Sequence, residues 1–543
     1  MSLYNRSSLI QVPSLYKDGT LVSTIPEDRS GDFTVARGSN LAATRIGEDG
    51  YIKKGYENLL LQSNQFDTTW ISSGLTLTSG QAGYDGSSDA WKFVADSTGF
   101  FRRITQSTNK NSIVTSSVYA KAGTADYIYM VHSSGSYSFG GYQFFDLTNG
   151  TLGASSFLKI IDASIEDVGN GWYRCTLVSE PDSQGQSFFG LSDANNNTNA
   201  TSGNYIYIQD AQLNQGLLAY PYLETTTAPV QGGLLENTPR LDWSNGVPAV
   251  KLEEERTNFI EYSEYFDSWT KVGSPTITNN YGISPEGVQN STRFETTSDR
   301  LSYDIVTINA NETFSIYMKG SGTLRMQVGS DNFYPSVTSE WVRYEFTTTQ
   351  VGTRNVQIRG NGSAVDVQLY GAQYERNDYP TSYIPTYGTS QTRLVEDYGG
   401  DDISSLVGDN EGTLFVEWEE NPFLNTDEYV TSIGLFQLIG VDKIYISGRS
   451  TLLRLTSDIH TNIVYTFSTS GSLKIAFKYN GSEVILFVNG VEAGRETQNK
   501  TFNPTSFGNA STSITASVQE NIKQILLFPT ALSDDECIEL TTI

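Results

Sequence analysis

Two stretches of this chain repeat one another in the same order, and any fold proposed for it has to be built twice. Asn58-Leu59-Leu60, Gln65-Phe66-Asp67 and Trp70 return as Asn258-Phe259-Ile260, Tyr265-Phe266-Asp267 and Trp269, an offset of 258 − 58 = 200 at the Asn and Phe-Asp positions. Phe93 pairs with Phe294, and Ser117-Val118-Tyr119-Ala120-Lys121 with Ser315-Ile316-Tyr317-Met318-Lys319. Gly171-Trp172-Tyr173-Arg174 then matches Glu340-Trp341-Val342-Arg343, and Ala211-Gln212-Leu213 with Tyr222 and Thr225 matches Ala372-Gln373-Tyr374 with Tyr383 and Thr386. A diverged duplication of this kind means one supersecondary unit used twice, each copy closing its own core. The alternation within 117–121 and 315–319 is that of a strand, with Val118 and Ile316 on one face and Tyr119 and Tyr317 on the other. Landmarks that recur in both copies, Phe66/Phe266, Trp70/Trp269 and Trp172/Trp341, are expected to pack.

The copies differ in length. Lys121 to Trp172 spans 51 positions and Lys319 to Trp341 spans 22, so the first copy carries 51 − 22 = 29 more residues between the same landmarks. The surplus is expected near Tyr127 to Gly153, where 143–150 reads as a strand running into an Asn-Gly turn. Such additions are frequent carriers of binding, because loops vary while the scaffold keeps its core. Aromatics with no partner in the other copy, Trp91 (opposite Thr292), Tyr137, Phe139 and Tyr142, are therefore the expected exposed sugar-stacking positions.

Composition sets the class. Charged residues make up 18% of 543, with 49 Gly and 32 Tyr, which favours strands and turns. The fold expected is all-β: tandem β-sandwich, jelly-roll-like domains after a short N-terminal docking segment. The expected boundaries are 1–45 for that segment, 46–232 and 233–398 for the two repeats, and 399–543 for a last module. The first segment has little periodic hydrophobicity, so it is expected to dock onto another protein, with a simple edge strand or a disordered lead-in as the alternative. The last module opens with a strand at 413–419. It then shows a hairpin around Asn480-Gly481, a second turn at Asn489-Gly490, a strand at 522–529, and a capping box from Ser533 to Glu536 opening one short helix. Lys and Arg number 35 against 61 Asp and Glu, and the net −26 repels nucleic acid and anionic lipid. The two Cys (Cys175, Cys537) and two His (His132, His460) leave little from which to build a disulfide framework or a zinc site. Apolar runs fall far short of the ~20 residues of a membrane helix, and the first ten residues lack the apolar core of a secretory signal, so a soluble chain made in a cytoplasm is expected.

Three blocks carry a family resemblance. The C-terminal block, Lys478-Tyr479-Asn480-Gly481 through Phe487-Val488-Asn489-Gly490 to Ile525-Leu526-Leu527-Phe528-Pro529, looks like the concanavalin/laminin-G-type jelly rolls found on many virion proteins. The repeats resemble carbohydrate-binding-module-like β-sandwiches through Tyr262-Ser263-Glu264-Tyr265-Phe266-Asp267-Ser268-Trp269 and the 315–319 strand. Phe33-Thr34-Val35-Ala36-Arg37-Gly38-Ser39, with Ala43-Thr44-Arg45 and Gly50-Tyr51-Ile52, is similar to a leader of tailed-bacteriophage fibre and minor structural proteins. The resemblance implies a non-enzymatic virion protein, a head or tail fibre or decoration protein, adhering to host surface polysaccharide. It also implies other virion proteins as partners of the leader and self-association, as a trimer ahead of a dimer. A purely architectural virion protein and a polysaccharide depolymerase are the alternatives.

Catalysis finds little support in the residues. There is no Gly-x-Ser-x-Gly elbow, and two distant His make a Ser-His-Asp triad hard to assemble. Glu417 and Glu419, two apart on one strand face, are the best carboxylate pair for the about 5–5.5 Å separation of a retaining glycosidase. They do not match the Glu-x-Asp-x-x-Glu strand of the retaining β-glucanases with a related jelly roll. No cofactor is expected; a structural Ca²⁺ would have Asp401-Asp402 or Asp193 and its Asn-rich neighbours to draw on, without a 12-residue calcium loop.

Overall fold

The computed structural model describes residues 3–400 except 15, 18–19, 40, 109, 111, 134–141, 157–158, 182–184 and 309–310; beyond them it describes 405–408, 410–419, 430–431, 444–449, 452–457, 462–466, 471–481, 483–497, 507–508 and 520–542. The chain is all-β, a succession of antiparallel sheets packed as sandwiches, and among the described residues one short α-helix, Asp534–Thr541, lies near the end.

The first repeat is two six-stranded sheets face to face. One runs Ile160–Gly169, Trp172–Ser179, Val114–Ala122, Tyr205–Gln215, Ala90–Ala95, Leu75–Gln81 in spatial order. The other runs Thr151–Ser155, Tyr142–Asp146, Tyr127–Ser133, Gln186–Ser192, Arg103–Ser107, Ile71–Ser73. Inward residues of both, among them Phe93, Val118, Ile128, Met130, Phe145 and Phe189, close on Phe66 and Trp70. The second repeat lays Phe266, Trp269, Phe294, Ile316 and Met318 in the same places. Here one strand, Glu312–Val328, serves both sheets, pairing over 313–321 with Val365–Glu375 and over 324–328 with Gly352–Gly360. Its crossing point is Gly320, at φ 145°, where a Cβ would lie 2.3 Å from the Asp366 carbonyl oxygen.

That crossing corrects the expected position of the insertion. Tyr127–Ser133 pairs with Gln186–Ser192 just as 324–328 pairs with Gly352–Gly360, so it belongs to the common scaffold. Among the described residues the surplus of the first copy is the strands Thr151–Ser155 and Ile160–Gly169, the latter an added edge beside Trp172–Ser179.

Side chains as well as strands are duplicated. Asn58 Nδ2 donates to the carbonyls of Ala211 (3.1 Å) and Leu223 (2.8 Å), and its Oδ1 accepts from the backbone N–H of Leu60 and Leu213. Asn258 does the same with Ala372, Ile384, Ile260 and Tyr374. Ser63 and Ser263 bond the hydroxyls of Tyr222 and Tyr383 at 2.7 and 2.6 Å. Both Asn are fully buried, and each staples the strand entering its sandwich to the strand leaving it. The expected packing of the paired tryptophans holds for Trp70, Trp172 and Trp269, whereas Trp341 is half-buried, against Ile52, Tyr370 and Tyr383.

The C-terminal module is a sheet in the order Arg240–Asp242, Ala249–Leu252, Glu520–Phe528, Glu411–Trp418, Leu473–Asn480, Glu483–Val488, Val491–Thr497. The helix lies against it through Cys537, with the expected capping box in place: Ser533 Oγ accepts from Glu536 N (3.2 Å) and Glu536 Oε2 from Ser533 N (2.8 Å). Two segments from elsewhere in the chain join this module. Leu9–Gln11 pairs with 525–527, and Phe33–Ala36 pairs with Asp397–Gly400, burying Leu9 and Phe33 completely. Over these strands the N-terminal segment thus has a neighbour within its own chain. The 240–252 hairpin, on the second-repeat side of the expected boundary, likewise pairs with Glu520–Phe528. Where the segments meet, Arg37, Arg240 and Arg393 are wholly buried against Glu253 and Glu396, at 3.3 Å for Arg37–Glu396, 2.8 Å for Arg240–Glu253 and 3.0 Å for Arg393–Glu253. Burial works against the Glu253 charge, but Arg393 and Arg240 outweigh it and hold its carboxyl well below the usual range.

Candidate functional site on the first repeat

Strand alternation decides which side chains reach the outer face of the first sheet. With Val118 and Cys175 in the core, Tyr119 and Lys121 point outward from Val114–Ala122, and Trp172 and Arg174 from Trp172–Ser179. Tyr207 and Gln209 do so from Tyr205–Gln215, and Lys92 from Ala90–Ala95, where its ammonium sits 3.8 Å over the Tyr205 ring. A β-bulge between Ser117 and Tyr119 gives Asp210 a φ of 54°; the matching bulge in the second repeat puts Gly371 at 63°. The Asp210 carboxylate is thereby turned to the same region as Gln209.

A loop, 82–89, folds onto this face. The Tyr84 ring lies parallel to Tyr119 at 3.7 Å, with Trp172 edge-on at 6.4 Å and the Arg174 guanidinium 5.7 Å from the Tyr119 ring centre. Tyr84 Oη donates to Asp210 Oδ2 (3.0 Å), and Gln209 Nε2 donates to Asp89 Oδ1 (2.8 Å), Ser87 Oγ (3.2 Å) and Asp85 Oδ1 (3.3 Å). Burial pushes the Asp210 carboxyl up to about 7, with the charges of Asp89 and Asp85 adding to it against hydrogen bonds from Tyr84 and Tyr222. Asp85 and Asp89 are exposed, while Tyr84, Tyr119 and Tyr207 are half-buried. With Gln209 and Asp210 buried beneath the loop, the face presents partly accessible aromatic rings, the carboxylates of Asp85 and Asp89 and cations side by side, a set suited to stacking on an apolar ring face while bonding hydroxyl groups around it.

In the second repeat the corresponding face is closed by the chain itself. A hairpin of Thr44–Ile46 and Ile52–Asn58 lies across it, with Ile52 buried against Tyr370 and Tyr383. Lys54 Nζ reaches Glu264 Oε1 (2.6 Å), Glu286 Oε2 (2.8 Å) and Tyr387 Oη (3.2 Å), and lies 5.2, 5.7 and 5.8 Å from the ring centres of Tyr370, Tyr383 and Tyr387. Glu264 stands where the first copy has Asn64, and Tyr370 where it has Gln209.

The residues expected as stacking positions fare differently. Trp91 is not exposed: it is 3% accessible, donates Nε1–H to Asn64 O (2.9 Å) and packs edge-on against Phe66, because its place on Ala90–Ala95 has the same parity as Phe93 and faces the core. Tyr142 lies on the other sheet, half-buried beside Tyr129, Phe144 and Phe188, so it shares no face with the Tyr84–Asp210 group. Tyr137 and Phe139 lie outside the described residues. Sequence reasoning passed over Tyr84, Gln209 and Asp210; the signal for the last two was divergence between copies, Gln209 against Tyr370 and Asp210 against Gly371.

Other candidate groups among the described residues are enclosed or already bonded. His132 Nδ1 lies 3.2 Å from Ser187 Oγ, but both are buried, and burial drives the imidazole down to about 4. Glu417 faces Lys474 at 4.0 Å, and Glu419 is 7% accessible. Asp193 accepts from Thr201 N (2.7 Å) and Asn204 Nδ2 (2.8 Å), closing its own loop; Asp401 and Asp402 lie outside the described residues. Among the described residues no three His, Cys, Asp or Glu side chains are grouped to hold a metal ion.

No family model matches the chain, and no curated protein matches it in sequence. Among solved structures, it is similar to the CBM40 of a Ruminococcus gnavus sialidase bound to α2,3-sialyllactose (14% identity over 27% of this chain and 92% of that one, TM-score 0.19). It is also similar to the CBM22 tandem of Paenibacillus barcinonensis Xyn10C (12%, 62% and 98%, TM-score 0.19) and to the LG1-3 region of the laminin α2 chain (9%, 80% and 96%, TM-score 0.16).

Proposed function

We propose that this chain is a non-enzymatic adhesin of a tailed-bacteriophage virion, a head or tail fibre or decoration protein that holds host surface glycans on the outer face of its first repeat. The observation that carries the reading is the contrast between copies: one face keeps the rings of Tyr84, Tyr119 and Tyr207 partly accessible beside the exposed carboxylates of Asp85 and Asp89, and the other is filled by Lys54 and Ile52. Each such face binds weakly, and the self-association implied by the resemblance, trimer ahead of dimer, supplies avidity. The virion setting is supported by the resemblance of the leader and of the last module. An architectural reading draws on the second repeat, where the same scaffold face serves assembly of the chain itself.

The test is saturable binding of labelled protein to host cells, with competing surface polysaccharide and a Tyr119→Ala/Tyr207→Ala variant. Competed binding that the variant loses supports the adhesin. Binding that survives the variant moves the site elsewhere, and no binding by a multivalent preparation favours the architectural role.

A further inference from the structure

The closure of the second repeat is incomplete. A cavity of about 150 Å³ remains between its outer face, the 44–52 hairpin and the 240–252 hairpin, floored by Tyr317, Thr381 and Tyr383. Arg343 enters from the second repeat and Arg45 from the hairpin, while the exposed Ser244 stands at the mouth. Space for several water molecules, yet below the ~300–1,000 Å³ of drug-sized pockets, admits one small group and no chain.

The charges lining it are unequal. Asp242 is the one carboxylate of the lining, and it is satisfied: Lys251 lies 3.2 Å away, and the N–H groups of Ile46 (3.0 Å) and Ser244 (3.1 Å) donate to it. Among the described residues, Arg45 and Arg343 bond only uncharged groups. Arg45 Nη1 donates to Leu241 O (3.0 Å), and Arg343 donates to Thr381 O (2.6 Å) and Ser315 Oγ (2.9 Å). The Nε of each is buried without a partner. Glu345, two residues along the same strand, feels the Arg343 charge without ion-pair contact. The wholly buried arginines nearby, Arg37, Arg240 and Arg393, each have a carboxylate, whereas Arg45 and Arg343 have none among the described residues. Arg343 is held in place by the scaffold, since its counterpart Arg174 bonds Ser117 Oγ and Tyr220 O in the same way. Two preset guanidiniums with spare N–H groups on a small cavity match the planar, multi-acceptor geometry of an oxyanion.

We propose that this cavity is an anion site, taking a single carboxylated sugar unit or a free oxyanion of similar size between Arg45 and Arg343. It is separate from the Tyr84–Asp210 face and does not depend on the glycan reading of that face.

The test is calorimetric titration of the full chain at constant ionic strength with glucuronate, glucose and inorganic phosphate. The expected result is saturable binding of glucuronate at one site per chain and none of glucose. Arg45→Gln weakens it by about tenfold or more, the worth of a charged hydrogen bond, with the unliganded melting temperature unchanged. Arg45→Lys, which keeps the charge and loses the fork, falls between, and Tyr119→Ala leaves the affinity alone. Phosphate binding as tightly as glucuronate assigns the site to free oxyanions; glucuronate alone assigns it to acidic sugars. Binding of glucose equal to that of glucuronate, affinity unmoved by both Arg45 variants, or no saturable binding of either anion overturns the proposal.

Discussion

Lys54→Met removes one positive charge from the closed face of the second repeat and keeps most of the side-chain volume. Glu264 and Glu286, with 2% and 6% of their side chains accessible, would keep their hydroxyl partners: Tyr383 Oη at 2.7 Å on Glu264, and Tyr220 and Tyr370 Oη at 2.9 Å on Glu286. They would have no cation. Breaking a buried pair from one side costs about 3–5 kcal/mol, because the remaining charge stays buried. At ~2–4 °C per kcal/mol for a unit of this size, the transition of the second repeat should fall by about 6–20 °C at pH 8. In the native chain, burial opposes the charge of Lys54, but Glu264 and Glu286 outweigh it and hold its pKa above the usual lysine value. Burial holds Glu264 above the ordinary carboxyl value in spite of Lys54; at Glu286 burial is outweighed by Lys54 and hydrogen bonds, and the pKa is lowered. The Glu286 contribution is thus present above its unfolded pKa and lost as pH falls through its folded one, while that of Glu264 is lost as pH rises. Without Lys54 both carboxyls move up, so acid should protonate them in the folded variant and shrink its deficit between pH 8 and pH 5. Calorimetric melting of wild type, Lys54→Met and Lys54→Met/Glu264→Gln/Glu286→Gln at pH 8, 7 and 5 checks this, with the triple variant regaining most of the loss. A Lys54→Met deficit that is small at pH 8, or constant with pH, would refute the ion-cluster account.

Three further outcomes follow from single sites. Asn258→Ala leaves two N–H and two carbonyl groups unbonded in the core, and at ~1 kcal/mol each it should cost about 4 kcal/mol in chemical denaturation; Asn58→Ala should cost the same in the first repeat, and unequal losses would mean that the staples are not equivalent. His132 is held at about 4 against 6.5 unfolded, so the stability its neutrality confers is present above pH 6.5 and lost by about 3 kcal/mol as pH falls towards 4; His132→Phe should flatten that part of the profile. Asp210, held near 7 in the folded chain, contributes stability that is present below its unfolded pKa and lost as pH rises through 7; Asp210→Asn should melt higher than wild type at pH 8 and no higher at pH 4.

The all-β class, the duplication and its core landmarks were readable because they depend on period-two patterning and on side chains that must recur if two cores are to close. Val118/Ile316 and Phe66/Phe266 fall where the alternation put them. The site was less legible for a related reason. Absence from the other copy suggests exposure at Trp91, yet a core position can change size from Trp to Thr when its neighbours change with it, and parity with Phe93 places Trp91 in the core. Tyr84 lies in a loop with no period, and nothing local says that it folds back onto Tyr119. The seating of Leu9–Gln11 on a strand more than 500 residues away likewise depends on long-range pairing, which local pattern does not encode.

Duplication also explains how one face came to be closed. A single sandwich with a polar, aromatic outer face satisfies its core without using that face, so the face is free to vary. In the second copy Asn64 is replaced by Glu264 and Gln209 by Tyr370, a change that would leave a buried, unpaired carboxylate if the hairpin covered it without bringing a cation. Lys54 supplies the compensating charge from the strand that enters the first repeat, and Tyr220, from the segment that follows Tyr205–Gln215, bonds Glu286. The two sandwiches are thus tied together by this charge cluster as well as by the apolar contact of Ile113 and Val178 with Tyr387. Neutralising the charge cluster should lower the transition of the second repeat, and the first repeat's Tyr84–Asp210 face, which shares none of these residues, should keep its ligand affinity in Lys54→Met.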